Sequence, residues 1–184
     1  MTYNSGNNLV NAKLLLEKTQ VHEGMHVVDF GCGRTGHIVF LAAQVIGSKG
    51  VVYAVDILKD VLESVHRRAV VEAMDNIETI WGDITCAEGV SIAPKTIDIV
   101  FCVNVLYNFE NYADVLAEAG RLLKDKGRIV IVDWKTNLSG IGPEKEHLLE
   151  FKKIIAWGQK NNYLVQDDID VGNYHRAIVL YRNI

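Results

Sequence analysis

The sequence is poor in proline and cysteine, and it has no excess of positive charge. Only 2 of its 184 residues are proline whereas 15 are glycine, so we expect turns built from glycine and polar residues. Hydrophobic residues make up 49% and charged residues 23%, which are globular proportions that argue against wholesale disorder. Because 19 Lys and Arg stand against 23 Asp and Glu, we expect no nucleic-acid partner held by bulk electrostatics.

The three cysteines, Cys32, Cys86 and Cys102, are widely spaced and include no Cys-x-x-Cys pair. They indicate neither a zinc ribbon nor a disulfide framework, so a reducing cytoplasm is the simplest location. His147 and His175 have no acidic or cysteine partners at metal-ligand spacing, so no metal is expected. The polar start lacks the apolar run of a signal peptide, and no stretch approaches the roughly 18 apolar residues of a membrane span.

Short runs rich in β-branched residues alternate along the chain with segments in which apolar residues recur at helical spacing. Several runs are almost continuously apolar, which is typical of parallel strands covered on both faces. This alternation predicts a doubly wound α/β sheet with right-handed crossovers. The five predicted strands cover residues 26–30, 51–56, 77–81, 97–103 and 128–134.

The two ends of the chain complete this arrangement. A helix is predicted over about residues 9–18, and Lys126-Gly127 predicts the end of the helix before the fifth strand. A further helix is predicted after Pro143, followed by two strands over 162–166 and 175–181 that form an antiparallel hairpin. The expected fold is therefore a Rossmann-like sheet of about seven strands, mostly parallel with a C-terminal antiparallel hairpin, and with helices on both faces.

No repeat, low-complexity tract or linker divides the chain. We therefore expect a single domain over residues 1–184, with an N-terminal helical cap segment over 1–22 and a core over 23–184. Tyr3 precedes the first helix, where a lid over a ligand would form, although a mobile terminus is the commoner arrangement.

The strongest local signal is a glycine-rich loop directly after the first predicted strand. Gly31, Gly33 and Gly36 would let the backbone turn tightly and approach a ligand. The helix that follows offers free N–H groups and the positive end of its dipole. Asp56 lies twenty positions after Gly36, at the end of the second strand, where a carboxylate can accept both hydroxyls of a ribose.

Two acidic residues help to distinguish between the possible ligands of this loop. The glycine spacing with a later acid is also the dinucleotide fingerprint, which is weak alone and fits a ligand-free turn as well. Asp29, two residues before the first glycine, disfavours an anionic pyrophosphate and suits a positive ammonium or sulfonium, such as that of S-adenosylmethionine. Asp83, followed by Ile84 after the third strand, could bind an adenine amino group while Ile84 packs against the ring.

The order of these motifs resembles the class I S-adenosylmethionine-dependent methyltransferases, in particular their small, quinone-biosynthesis-like branch. The resemblance covers about residues 10–135, and the closing hairpin fits the last two strands of that family. The family usually has Gly-x-Gly-x-Gly, whereas Gly36 comes one residue late, which we interpret as an insertion in the loop. The motifs are Val28-Asp29-Phe30-Gly31-Cys32-Gly33, Val52-Tyr53-Ala54-Val55-Asp56, Gly82-Asp83-Ile84, Ile97-Asp98-Ile99-Val100 and the run over 121–134.

The resemblance implies S-adenosylmethionine as the cofactor. It implies that Gly31 and Gly33 line the methionine part of the cofactor, in the loop that Gly36 closes. Asp29 would act near the ammonium group, directly or through water. Asn104, at the end of the fourth strand, would present its backbone to the cofactor.

The resemblance also implies roles at the adenosine end. Asp56 would hold the ribose hydroxyls, with Ile57 under the adenine. Asp83 would meet the adenine amino group, with Ile84 beside the ring.

Candidate acceptor contacts follow the fourth and fifth strands. Tyr107 and Asn108 lie at the carboxyl edge of the predicted sheet, where substrates sit in open α/β folds. Packing of the loop is the alternative role for these two residues. Trp134, at the end of the fifth strand, belongs to the remaining stretch that would present a polar group to a substrate.

The resemblance implies in-line transfer of a methyl group to a small-molecule acceptor. Because a sulfonium is already activated, alignment and desolvation supply most of the barrier reduction, and no catalytic residue is assigned. Two alternatives stay open: a cofactor-binding fold that acts as a non-catalytic interaction module, and an NAD-dependent oxidoreductase, for which no Tyr-x-x-x-Lys motif is found. The acceptor pocket is either open or completed by the N-terminal helix or by a second subunit of a homodimer.

Overall fold

The computed structural model describes residues 9–138 and 140–182. Within these residues, seven strands form one sheet in the order β3-β2-β1-β4-β5-β7-β6. The first five strands pair in parallel, and β7 runs antiparallel between β5 and β6. The predicted fold class is confirmed. The strands are β1 His26–Phe30, β2 Val51–Asp56, β3 Ile77–Trp81, β4 Ile97–Val103, β5 Leu123–Trp134, β6 Tyr163–Asp170 and β7 His175–Arg182.

Helices cover both faces of this sheet. The buried apolar residues of α1, α2 and α3 belong to one core layer, and those of α4 and α5 belong to the other. No helix in the described part of the chain combines the length and apolarity needed to cross a membrane. The helices are α1 Ala12–Lys18, α2 His37–Ile46, α3 Lys59–Val71, α4 Tyr112–Leu122 and α5 Phe151–Lys160.

The alternation of side chains along the central strands divides the core into its two layers. In β1, Val27 packs with the layer of α1 to α3, while Val28 and Phe30 pack with the layer of α4 and α5. These three side chains are fully buried. A parallel strand covered on both faces therefore explains why the sequence reads as a nearly continuous apolar run.

The predicted end of the fourth helix is wrong. The helix α4 ends at Leu122, and Leu123 already has extended backbone angles and begins β5. Leu123 pairs with Ile97, after which the register of β4 against β5 shifts. Gly127 therefore lies inside an irregular strand, where a Cβ atom would meet the side chain of Leu123 at 2.7 Å. A glycine that allows such an irregularity resembles a helix C-cap when only the sequence is read.

The first helix is shorter than predicted. It begins at Ala12, because the side-chain oxygen of Asn11 accepts a hydrogen bond from the Leu14 N–H at 3.0 Å and caps the helix. The backbone N–H of Asn11 donates to Val171 O at 2.6 Å. This contact fastens the start of α1 to the hairpin of β6 and β7.

The carboxylate of Asp98 joins three neighbouring strands at their starting ends. Its Oδ2 accepts a hydrogen bond from the His26 N–H at 2.8 Å, at the beginning of β1. Both of its oxygens lie 2.8 Å from Lys124 Nζ, in the first residues of β5. Asp98 is therefore a structural residue of the sheet edge opposite to the candidate site.

We expect Asp98→Ala to lower the free energy of unfolding by about 1–2 kcal/mol, because it removes the acceptor of a partly buried backbone N–H. Urea denaturation measures this change. The matched control is Asp125→Ala, which removes only an exposed ion pair with Lys95 and should change stability by less than about 0.5 kcal/mol. Equal effects of the two substitutions would contradict the structural role of Asp98.

Candidate active site

A cleft of about 260 Å³ lies at the carboxyl ends of β1, β2 and β3. It brings together Gly31, Asp56, Ile57, Asp83 and Ile84, which are five of the residues predicted to bind the cofactor. Val105 and Phe109, which follow β4, also line it. The sequence motifs did not predict these two residues, although their place after the fourth strand could have indicated them. The lining residues are Gly31, Asp56, Ile57, Gly82, Asp83, Ile84, Val105 and Phe109.

The glycine loop forms one wall of this cleft. The backbone of Gly31 has a φ of +69°, and a Cβ atom there would meet Val105 Cγ2 at 2.8 Å. Gly36 has a φ of +53° in the left-handed region and occupies the N-cap position of α2. Its N–H donates to Gly33 O at 3.1 Å. The late third glycine therefore still provides the left-handed turn that opens the helix.

The extra length of the loop is held by α3. The guanidinium of Arg34 forms an ion pair with Asp60 at 2.5 Å. Arg68 Nη1 donates to Thr35 O at 2.8 Å, and its guanidinium lies 3.7 Å from the centre of the Phe40 ring. Because Arg34 and Thr35 are bound to α3, the insertion does not have to fill the cleft.

The carboxylate of Asp56 is held by two backbone groups. Its Oδ2 accepts a hydrogen bond from the Gly33 N–H at 3.2 Å, and its Oδ1 accepts one from the Leu58 N–H at 3.0 Å. Each oxygen keeps acceptor capacity, because a carboxylate oxygen has two lone pairs. The arrangement can therefore accept two further hydrogen bonds, as a ribose diol requires.

Asp83 is held by the turn that follows it. Its Oδ1 accepts hydrogen bonds from the Thr85 N–H at 2.9 Å and from Thr85 Oγ1 at 2.6 Å. These two bonds, with the side chain of Thr85 contributing most, lower the pKa of Asp83. Asp83 is therefore an ionised acceptor in the cleft at neutral pH.

A buried acid on α4 supports the segment after Asp83. Glu118 is 2% exposed, and its carboxylate accepts hydrogen bonds from the N–H groups of Glu88 and Val90 at 3.0 and 3.1 Å. Arg121 adds donors at 2.7 and 2.8 Å. Burial opposes ionisation of Glu118, but these hydrogen bonds, led by that of Arg121, lower its pKa. The segment that follows Asp83 is thus held by α4.

Asp29 is the unusual group of the site. It is 3% exposed, and its Oδ1 has no hydrogen-bond partner among the described residues. Burial, and then the charge of Asp56, raise the pKa of Asp29 to about 8. A buried carboxyl group with an unused oxygen beside the glycine loop is suited to a ligand that carries a positive charge.

The end of β4 is tied to the end of β5. Asn104 has a φ of +53°, and its N–H donates to Val132 O at 2.8 Å. In the single 3-10 turn that follows, the Tyr107 N–H donates to Asp133 Oδ2 at 3.2 Å. Burial raises the pKa of Asp133 to about 7. These bonds fix the turn that adjoins the cleft.

A second cleft of about 400 Å³ lies beside the first. The two share Phe109, and Val105 of the first is followed in the chain by Leu106 of the second. The predicted acceptor contacts Tyr107 and Asn108 line this second cleft. Its lining residues are Leu106, Tyr107, Asn108, Phe109, Glu110, Tyr112, Glu146, His147, Leu148, Leu149, Glu150 and Lys153.

Trp134 lines neither cleft. Its side chain is 2% exposed, and its ring centre lies 4.3 Å from that of His175, which is also buried. A Cβ atom at Gly142 would meet the indole at 2.9 Å. The indole therefore packs into the interior beside β7, which the position of Trp134 at the end of β5 did not reveal. Tyr3, the candidate lid residue, lies outside the described residues.

The other predicted cofactor contacts, Asp29, Gly33, Gly36 and Asn104, do not line the first cleft. Gly33 contacts it through Asp56, to whose carboxylate its N–H donates. The searched part of the chain, 9–138 and 140–182, holds no group of three or more His, Cys, Asp or Glu arranged for a metal ion.

Comparison with known proteins identifies the protein family to which the chain is similar. The family model described as a methyltransferase domain matches residues 21–179. Aklanonic acid methyltransferase DauC of Streptomyces sp. (strain C5) is 28% identical over 112 residues, which are 59% of this chain and 50% of that protein. Demethylmenaquinone methyltransferase of Lactococcus lactis subsp. lactis (strain IL1403) is 31% identical over 110 residues, 60% of this chain and 42% of the relative. The chain spans about half the length of the curated relatives it matches.

A solved structure shares the fold along almost the whole chain. The S-adenosylmethionine-dependent methyltransferase from Aquifex aeolicus has a TM-score of 0.84 and 21% sequence identity, and the match covers 97% of this chain and 93% of that one.

The chain belongs to the methyltransferase domain family. The predicted resemblance to class I S-adenosylmethionine-dependent methyltransferases is confirmed, and S-adenosylmethionine is the cofactor that this class implies. The residues present fit that cofactor, because an unused oxygen of the buried Asp29 suits its positive charge and Asp56 keeps acceptors for a diol.

We expect Asp29→Asn to change the pH dependence of stability. Because the folded pKa of Asp29 is raised to about 8, the folded state holds a proton that the unfolded state loses. The contribution of Asp29 to stability therefore falls as pH rises from about 4 to about 8. The stability of the variant relative to the native protein should grow by on the order of 1 kcal/mol per pH unit in this window. Denaturant unfolding at several pH values measures it, and a constant difference would contradict the burial of a protonated Asp29.

Proposed function

We propose that the protein transfers the methyl group of S-adenosylmethionine to a small-molecule acceptor. The observation that carries this proposal is the cleft that Gly31, Asp56 and Asp83 line, with the buried Asp29 two residues before Gly31 in the chain. Three acids at one sheet edge disfavour a pyrophosphate and suit a cofactor that has a cationic end, a diol and an amino group. When bound, S-adenosylmethionine supplies a methyl group on an activated sulfonium.

The residues of this chain would then position the cofactor. Asp29, beside Gly31 and Gly33, would lie near the ammonium group. Asp56 would accept the ribose hydroxyls with the lone pairs that Gly33 and Leu58 leave unused. Apart from the proton that Asp29 would lose when the cation binds, these contacts involve no proton transfer, so the main role of the site is to align the reactants and exclude water.

The adenine would occupy the apolar part of the same cleft. The exposed side chain of Ile57 and the buried side chain of Ile84 line it on the side of β2 and β3. The carboxylate of Asp83 would accept a hydrogen bond from the adenine amino group. The backbone of Asn104 would contact the cofactor from the end of β4. Trp81 Nε1 donates to Ile57 O at 2.9 Å and holds the Ile57 backbone in place.

The acceptor would enter from the second cleft, which Tyr107 and Asn108 line. Phe109 lies in both clefts, so a molecule in the second cleft would approach the cofactor across this ring. The walls of this cleft come from residues 106–112 and 146–153 of one chain, so the proposal does not depend on a homodimer. The named relatives act on different acceptors, and their substrates are not transferred to this chain.

We further propose that the chain acts as one methyltransferase unit in the cytoplasm. Both core layers pack on the same sheet, which supports a single unit. Both Cys32 and Cys102 are buried free thiols, which is consistent with a reducing compartment.

We expect S-adenosylmethionine and S-adenosylhomocysteine, but not NAD, to bind when titrated calorimetrically. Asp56→Ala should weaken the binding of both adenosyl ligands by about tenfold to a hundredfold, because hydrogen bonds to a charged acceptor contribute about 1.5–3 kcal/mol. Asp75→Ala, an exposed acid outside both clefts, is the matched control and should leave the affinity unchanged.

Three results would count against the proposal. Binding of NAD alone would favour an oxidoreductase. Unchanged affinity in Asp56→Ala would remove Asp56 from the ribose site. Cofactor binding without methyl transfer to any of a broad panel of acceptors would favour a non-catalytic module.

We expect the affinity for S-adenosylmethionine to rise with pH. A cation beside Asp29 favours its ionised form, so binding should release a proton below the raised pKa of about 8. The association constant should increase by up to about tenfold per pH unit between about pH 6 and about pH 8. Titrations in buffers of different ionisation enthalpy measure the proton release, and Asp29→Asn should abolish it. Equal proton release by the native protein and the variant would remove Asp29 from the cationic end of the cofactor.

A further inference from the structure

The second cleft carries information about the acceptor, on the premise of the proposed methyl transfer. Apolar side chains form part of its lining: Phe109 and Leu148 are half-buried, and Leu149 is 9% exposed. The aromatic residues Tyr107, Phe109 and Tyr112 also line it. Burial raises the pKa of both tyrosines, so their phenols are neutral at physiological pH. The interior therefore suits an apolar group of drug-like size.

Acidic side chains outnumber basic ones in the cleft, where His147 also forms part of the lining. Glu110, Glu146 and Glu150 line it, whereas Lys153 is its single lysine or arginine among the described residues. Lys153 Nζ lies 2.5 Å from Glu150 Oε1, so the positive charge is already paired. Glu110 and Glu146 have no ion pair among the described residues. A cleft with two unpaired carboxylates at its rim attracts a cation and repels an anion.

The neighbouring rings strengthen this preference. Neutral aromatic faces attract cations, and acids beside them add a Coulombic contribution. Tyr107, Phe109 and Tyr112 line the same cleft as Glu110 and Glu146. The cleft thus combines apolar lining residues with exposed acidic side chains.

We propose that the second cleft binds an acceptor that carries a protonated amine next to an apolar ring. The ring would pack against Phe109 and Leu149, and the amine would lie beside the exposed side chains of Glu110 and Glu146. The amine is an anchoring group in this proposal, and no bond to it is made or broken. Acceptors that carry carboxylates are disfavoured at the same rim.

Three matched probes test this charge preference: phenethylamine, 2-phenylethanol and 3-phenylpropionate. Each is titrated at neutral pH and low salt into protein saturated with S-adenosylhomocysteine, and binding is followed by ligand-observed NMR. We expect the amine to bind most tightly and the carboxylate most weakly. Each unpaired carboxylate should contribute about a twofold to fivefold preference for the amine over the alcohol.

Charge-neutral variants locate the preference within the cleft. Glu110→Gln and Glu146→Gln should each reduce the ratio of amine to alcohol affinity, and the double variant should remove most of it. Glu63→Gln changes an exposed acid on α3, outside the cleft, and should leave the ratio unaltered. These exposed sites do not support the core, so the variants are expected to fold.

The outcomes separate this inference from the proposed function. If S-adenosylhomocysteine binds but the carboxylate probe binds as tightly as the amine, the inference is overturned while the cofactor site stands. An unchanged ratio in the double variant, or no binding of any probe, overturns it as well. If S-adenosylhomocysteine itself does not bind, the proposed function fails first and the inference fails with it.

Discussion

The parallel pairing of β1 between β2 and β4 is the constraint on which the site depends. Asp29 pairs with Ala54 on one side and Phe101 on the other, so the three strands end at a common edge. The glycine loop and Asn104 follow those ends, and Asp56 is the last residue of β2. A hydrogen bond from the Gly33 N–H to the Asp56 carboxylate then joins the loop to β2. A one-residue slip would turn every buried side chain of β1 to the opposite face.

This constraint also explains why a carboxyl group is tolerated in the core. Asp29 lies one residue before the end of a strand that is covered on both faces, so its burial follows from the sheet and not from a local partner. Asp133 in β5 is likewise buried by the sheet. Its carboxylate accepts hydrogen bonds from the backbone N–H groups of Tyr107 and Trp134. Two buried acids at one sheet edge thus have different uses: one is left with an unused oxygen, while the other holds a turn.

The displaced glycine shows how a local departure is absorbed by packing. Arg34 and Thr35 lie between Gly33 and Gly36, and they contact Asp60 and Arg68 on α3. Gly36 then takes the left-handed conformation at the start of α2. The spacing of the motif is therefore less important than the conformation that its last glycine provides.

The sequence by itself determined the order of the strands along the chain, the glycine loop and the acids at the sheet edge, because these depend on short-range periodicity and on the end of each strand. Tertiary structure decided the burial of Trp134, the strand position of Gly127 and the second cleft. The first two depend on the strands that pair with β5, β7 for Trp134 and β4 for Gly127. The cleft joins residues 106–112 to 146–153, which are distant in sequence, so no local pattern records their contact.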